Sequence, residues 1–150
     1  MNATPNAGRP DFLSTRLSRA ASALARMAAR VHRSEHGLTA PEFSVMMVLA
    51  NEAPDRPVTS TRIVEATAMD KTKVSRAVSS LDRRAWLERA RATSDRRFEY
   101  LSLTARGKAV YARLIPQMEA AEDAVLKQLT QDERRGLEVG LSGLDRALAR

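Results

Sequence analysis

Residues 70–84 run Asp70-Lys71-Thr72-Lys73-Val74-Ser75-Arg76-Ala77-Val78-Ser79-Ser80-Leu81-Asp82-Arg83-Arg84. Val74, Ala77, Val78 and Leu81 recur at the three-and-four spacing of one helical face. At about 3.6 residues per turn, Thr72, Arg76, Ser79 and Arg83 fall on the opposite face, flanked by Lys73 and Ser75. Asp70 stands where a side-chain oxygen caps a helix N-terminus. In isolation this is best read as a solvated amphipathic helix. Its outer face nevertheless has the chemistry of a DNA-reading helix. Short hydroxyls allow close approach to bases or phosphates, and an arginine matches O6 and N7 of guanine. Lys71 adds a cation at the helix start, where free N–H groups favour phosphate.

The flanks make the DNA reading the better one. Upstream, a short helix from Thr59 to Thr67 with Ile63, Val64 and Ala66 inward completes the outline of a helix-turn-helix. Downstream, Leu87-Glu88-Arg89-Ala90 is strand-like, Arg91 to Arg97 is polar, and Phe98 to Leu103 alternates apolar with polar. Two strands around a polar tip predict a hairpin, with Arg89, Arg91, Arg96 and Arg97 at its tip and Asp95 pairing with a neighbouring arginine. Arginine on a thin hairpin can enter a narrow minor groove, where the negative potential is enhanced.

The remaining segments predict helices. Leu13, Leu17, Ala20, Leu24, Met27 and Val31 make a coiled-coil-like seam over Asp11–Arg33. Thr39 and Glu42 form a capping box before a stripe of Phe43, Met46, Met47 and Ala50. Asn51 to Pro57, with two prolines, reads as a loop. Thr104 caps a long helix with Val110, Leu114, Met118, Ala121 and Val125 on one side and a kink expected at Pro116. A second capping box, Thr130 with Glu133, opens a last helix carrying Leu137, Leu141, Leu144 and Leu148. The predicted class is mainly α with one α+β hairpin, in the order helix, helix, helix-turn-helix, hairpin, helix, helix.

Composition agrees. In 150 residues, 43% are apolar but only 4% aromatic, so small side chains dominate the core and a second copy would help complete it. No cysteine is present, which excludes disulfides, thiolate metal sites and cysteine redox switches. Residues 1–10 are polar, lack the apolar run of a secretory signal and read as a disordered tail. No run of about 18 apolar residues predicts a membrane span, so a cytoplasmic protein without membrane contacts is expected. Between Arg56 and Arg106 lie 12 Lys and Arg against 6 Asp and Glu, a net +6 of the chain's +7. Charge focused in this way is the electrostatic footprint of a nucleic-acid-binding face.

Taken together, Asp70-Lys71-Thr72-Lys73-Val74-Ser75-Arg76, Leu81, Ser94-Asp95-Arg96-Arg97 and Leu101-Ser102-Leu103-Thr104-Ala105-Arg106-Gly107 resemble the MarR family of bacterial transcriptional regulators, over about residues 11–150. The resemblance implies one domain over 11–150, with the winged helix-turn-helix at about 38–103 and dimerisation helices at about 11–33 and 104–150. It implies a homodimer on a near-palindromic operator, acting as a repressor relieved by a small aromatic or anionic effector. By similarity, Thr72, Lys73, Ser75 and Arg76 lie on the recognition helix. Asp95 and Arg97 belong to the wing motif, with Arg97 the minor-groove residue and Arg96 a phosphate contact. Ala85 departs from the family, which usually has glycine before the wing, and Ile63-Val64 stands where Leu-Ala is more usual.

The DNA-binding set expected from both lines is Lys71, Thr72, Lys73, Ser75, Arg76, Ser79, Arg83, Arg91, Arg96 and Arg97, with Asp95 stabilising the wing. The effector pocket implied by the family would be lined by Met27, Val31, His32, Phe43, Met47, Tyr111 and Leu114, although each is equally a core position. His32 could sense pH or bind an anion, but such a histidine more often sits at a helix surface. His32 and His36 lack further ligands, so no metal is expected, and no cofactor. No phosphate-binding glycine loop or nucleophile–base set suggests an enzyme. Two other readings stay open: a winged helix that binds protein, and a nonspecific architectural DNA binder.

Overall fold

A computed structural model describes residues 12–53, 56–91 and 99–149. Among them the order is α1 (Leu13–His36), α2 (Ala40–Asn51), α3 (Ser60–Thr67), α4 (Lys71–Arg83), β1 (Leu87–Arg91), β2 (Glu99–Leu103), α5 (Ala105–Leu126) and α6 (Gln131–Leu148). Hydroxyl or carboxylate caps set most helix starts. Thr39, Thr59, Asp70, Thr104 and Thr130 each accept the backbone N–H three residues on. Both expected capping boxes are complete. Helix α1 ends at Gly37, within the expected stop at Ser34–Gly37, and the left-handed φ of 58° there lets the Gly37 N–H reach the Arg33 carbonyl. Pro116 lies within α5, and the helix continues beyond it.

Helices α2, α3 and α4 surround one core with the antiparallel wing β1–β2, in which Leu87 pairs with Leu103 and Arg91 with Glu99. The alternation in β2 holds: Leu101 and Leu103 are buried, and Ser102 is exposed. The segment before α3 adds a contact that its two prolines conceal in the sequence. Val58 bridges to Leu101, whose N–H donates to the Val58 carbonyl at 2.8 Å. α5 packs on α1 and α2, with Val110 and Leu114 buried.

Some expected inward faces are rotated. In α2 the buried apolar residues are Val45, Met46 and Val48, whereas Met47 and Ala50 are exposed. This helix is covered by α4 on one side and by α5 and β2 on another, so no single stripe describes it. In α3, Ile63 is buried, Val64 partly so, and Ala66 exposed. The α6 stripe is left largely uncovered: Leu137 and Leu141 are 44% and 48% exposed, Leu144 is half-buried, and α6 fully buries no residue.

The junction between α4 and the wing is tight. Ala85 has φ 56°, the conformation for which the family's usual glycine is suited. Thr104 donates to the Ala85 carbonyl at 2.8 Å, and its N–H donates to the Trp86 carbonyl at 3.1 Å. A Cβ on Gly107 would lie 2.0 Å from the Trp86 carbonyl oxygen, so the start of α5 can meet the wing only through glycine. Ala85→Gly is therefore expected to raise stability by about 0.5–1 kcal/mol, by removing left-handed strain from an alanine. Urea unfolding of both proteins checks this; an equal or lower midpoint would show that the strain is already relaxed.

Candidate nucleic-acid interface

Helix α4 turns the two faces read in the sequence to opposite sides. Val74, Ala77, Val78 and Leu81 are buried, while Lys71, Thr72, Lys73, Ser75, Arg76 and Arg83 are exposed. Asp70 accepts the Lys73 N–H at 2.8 Å and pairs with its ammonium at 3.4 Å. The Lys73 N–H is the main reason the Asp70 carboxyl lies below its usual range. Lys71 and Arg76 make no ion pair among the described residues, so their charge faces outward uncompensated. Ser79 is half-buried and receives an Arg89 N–H at 3.4 Å, and Arg83 donates to the Ser79 carbonyl. Ser79 is thus turned partly toward the wing, whereas Arg83 folds back along its own helix.

Arg89 was expected at the hairpin tip but lies within β1. Its guanidinium bonds Asp82 of α4 at 2.8 Å and Glu99 of β2 at 2.9 Å. Burial works against its charge, but these two carboxylates outweigh it and raise its pKa. Arg89 thus clamps the wing to the recognition helix. Arg91, at the end of β1, is exposed. Asp95, Arg96 and Arg97 lie outside the described residues.

A second clamp sits behind α4. The Arg84 guanidinium donates to the carbonyls of His36 at 2.8 Å and Gly37 at 3.3 Å, at the end of α1. It lies 3.9 Å from a Glu42 carboxylate oxygen and 4.9 Å over the Trp86 ring. Glu42 is 4% exposed and accepts both the N–H and the hydroxyl of Thr39. Burial pushes the Glu42 pKa up, yet hydrogen bonds from Ser80 and Thr39, with the Arg84 charge, bring it below the ordinary value. The capping box marked Glu42 in the sequence. Nothing there paired it with Arg84, because the partners meet only when α2 and α4 pack.

The seven expected effector residues separate into different surroundings. His32 is buried, not on the helix surface; its Nδ1 lies 2.7 Å from the Leu38 carbonyl. Its ring stacks on Phe43 at 5.5 Å, and Phe43 on Tyr111 at 6.2 Å. Leu114 is buried and Val31 partly so, but Met47 is exposed. Met27 instead lines an apolar groove of about 370 Å³ with Leu24, Val125, Leu126, Leu129 and Leu137. Among the described residues no cluster of His, Cys, Asp or Glu could hold a metal, and no helix is long and apolar enough to cross a membrane.

A three-helix core, a basic outer helix and a wing held to it define a winged helix-turn-helix DNA-binding protein. Residues 36–97 match the family model described as MarR family. It is 26% identical over 98 residues to the transcriptional regulator HosA of Escherichia coli, covering 65% of this chain and 70% of that protein. The structure resembles that of the transcriptional repressor CouR bound to a 23-mer DNA duplex, with TM-score 0.77, 26% identity and coverage of 89% and 92%. It also resembles BpsR of Bordetella bronchiseptica, whose DNA binding is regulated by 6-hydroxynicotinic acid, with TM-score 0.78, 22% identity and coverage of 93% and 98%.

The Glu42 cluster has a pH signature. Because its folded-state pKa is depressed, its stabilisation is fully present above the unfolded glutamate value of about 4.3 and is lost as pH falls through the lower folded value. Glu42→Gln is expected to cost about 1–3 kcal/mol at pH 7 and to flatten the loss of stability in that acid window. Urea unfolding from pH 7 to pH 3 measures both; parallel pH curves for the two proteins would refute the assignment.

Proposed function

We propose that this protein is a sequence-specific repressor that binds a near-palindromic DNA operator as a homodimer and is released by a small effector. The observation that carries the reading is the outer face of α4, where Lys71, Thr72, Ser75 and Arg76 stand exposed beside a wing clamped through Arg89. Arg76 reads base edges, Lys71 and Lys73 meet backbone phosphates, and Thr72, Ser75 and Ser79 make close contacts. Arg83 and Arg91 extend the basic surface. Arg97 enters the minor groove, Arg96 contacts phosphate, and Asp95 holds the tip. CouR, a DNA-bound repressor at 26% identity, supports the repressor assignment.

The uncovered apolar surface supports the homodimer. Leu13, Leu24, Leu137, Val139 and Leu148 are all at least 44% exposed, on helices that carry no DNA-binding residue. Large apolar side chains left uncovered on two terminal helices favour association. A two-fold dimer would place two recognition helices about 34 Å apart, one turn of DNA. The regulation of BpsR by 6-hydroxynicotinic acid supports a small aromatic, anionic effector. Its site is where α1, α2 and α5 meet, at Val31, His32, Phe43, Tyr111 and Leu114, with Met27 and Met47 at the margins. Operator DNA places the protein in the cytoplasm.

Fluorescence anisotropy on DNA from upstream of the protein's own gene, beside a scrambled duplex and across a salt series, tests the function. Selective binding that survives moderate salt is expected. Weak binding to both duplexes that collapses with salt would favour an architectural role, and no binding at low salt would sink the DNA reading. Arg76→Ala is expected to lose about 1–3 kcal/mol on the operator and much less on scrambled DNA, and Arg97→Ala to weaken binding and reduce the salt slope by about 1. Leu141→Asp is expected to halve the mass measured by light scattering and to weaken operator binding; an unchanged mass would place the dimer contact elsewhere.

A further inference from the structure

We propose that a recess bounded by His36, Arg84, Trp86 and Arg106 binds a small anion carrying a carboxylate or phosphate group. The recess measures about 480 Å³. Its walls come from the end of α1, the end of α4, the start of the wing and the first turn of α5. It lies at the opposite end of α4 from Lys71 and Thr72, and none of its lining residues belongs to the DNA-binding set.

Its chemistry is one-sided. Two guanidinium groups, an imidazole and an indole line it, and no described carboxylate does. Arginine offers only donors, in the planar fork that matches carboxylate and phosphate oxygens. Arg106 is exposed and makes no ion pair among the described residues. Arg84 is already oriented by the His36 and Gly37 carbonyls and by the Trp86 ring, so little freedom is lost when it meets a ligand. Glu42, at 3.9 Å, offsets part of its charge and leaves that of Arg106 uncompensated. Trp86 is 7% exposed, and its indole N–H has no acceptor among the described residues. That N–H is closed off from the recess, so Trp86 meets an occupant through its ring, and the two guanidinium groups supply the donors. The positive end of α5 adds to the attraction, since Arg106 is its second residue.

An occupant would join the first turn of α5 to the arginine that ties α1 to α4. Filling or emptying the recess would therefore act on the seat of the recognition helix from behind.

Trp86 is the only tryptophan of the chain, so its emission reports on this recess alone, and without DNA. The full chain is titrated with inorganic phosphate and, separately, with acetate, at an ionic strength held constant with sodium chloride. A saturable change in Trp86 emission is expected for at least one of them. Arg106→Ala is expected to weaken that response at least tenfold with an unchanged thermal midpoint, and Arg106→Lys to restore part of it. If Arg106→Ala no longer unfolds cooperatively, Arg106→Gln takes its place. A response linear in anion concentration, or one that Arg106→Ala leaves unaltered, overturns the proposal. In parallel, Arg106→Ala is expected to leave the salt slope of duplex binding unchanged. A slope reduced by about one, with no saturable response to free anions, would instead assign the recess to a DNA phosphate and overturn the small-ligand reading.

Discussion

Arg84 holds four segments of the chain at one point. Its guanidinium takes the carbonyls at the end of α1, faces the buried carboxylate that caps α2 and lies over the Trp86 ring just before the wing, and its backbone ends α4. Glu42 is nearly inaccessible, and a buried carboxylate is tolerated only when its oxygens are hydrogen-bonded and its charge is met. Thr39, Ser80 and Arg84 meet those conditions together. The position of α4 relative to α1 is thereby fixed by polar chemistry, which demands a particular geometry, more than by apolar packing, which tolerates several.

The arginines divide accordingly. Those directed into the structure are engaged: Arg84 by carbonyls and Glu42, Arg89 by Asp82 and Glu99. On the outer face of α4, Lys71 and Arg76 make no ion pair among the described residues. The same residue type therefore builds the scaffold in one place and keeps its charge toward solvent in another. Wing and α4 are held as one body by Arg89, and the Gly107 contact with Trp86 fixes the start of α5 against their junction.

Much of this was legible because it is local. Helix starts follow from capping residues within four positions, the two faces of α4 from helical period, and the wing from alternation in Phe98–Leu103. What misled was also physical. The face of α2 was misplaced because a helix covered on two sides has no single stripe. Arg89 looked like a tip residue because its carboxylate partners come from α4 and β2, seven and ten residues away. His32 looked like a surface residue because its burial depends on Phe43 and Leu38 closing over it.

The sequence alone determined the class of protein, its element order and the cations of the reading helix, since periodicity, capping and turn chemistry act over a few residues and survive without tertiary context. Tertiary structure decided which charges are spent inside. Whether an arginine is a clamp or a contact depends on which carboxylates and carbonyls packing brings within about 3 Å of it, and the partners of Arg84 lie as far as 48 residues away along the chain. It also decided that α6 and much of α1 keep their leucines uncovered. A hydrophobic stripe records only that a face seeks cover; the three-dimensional arrangement shows that this chain does not provide it.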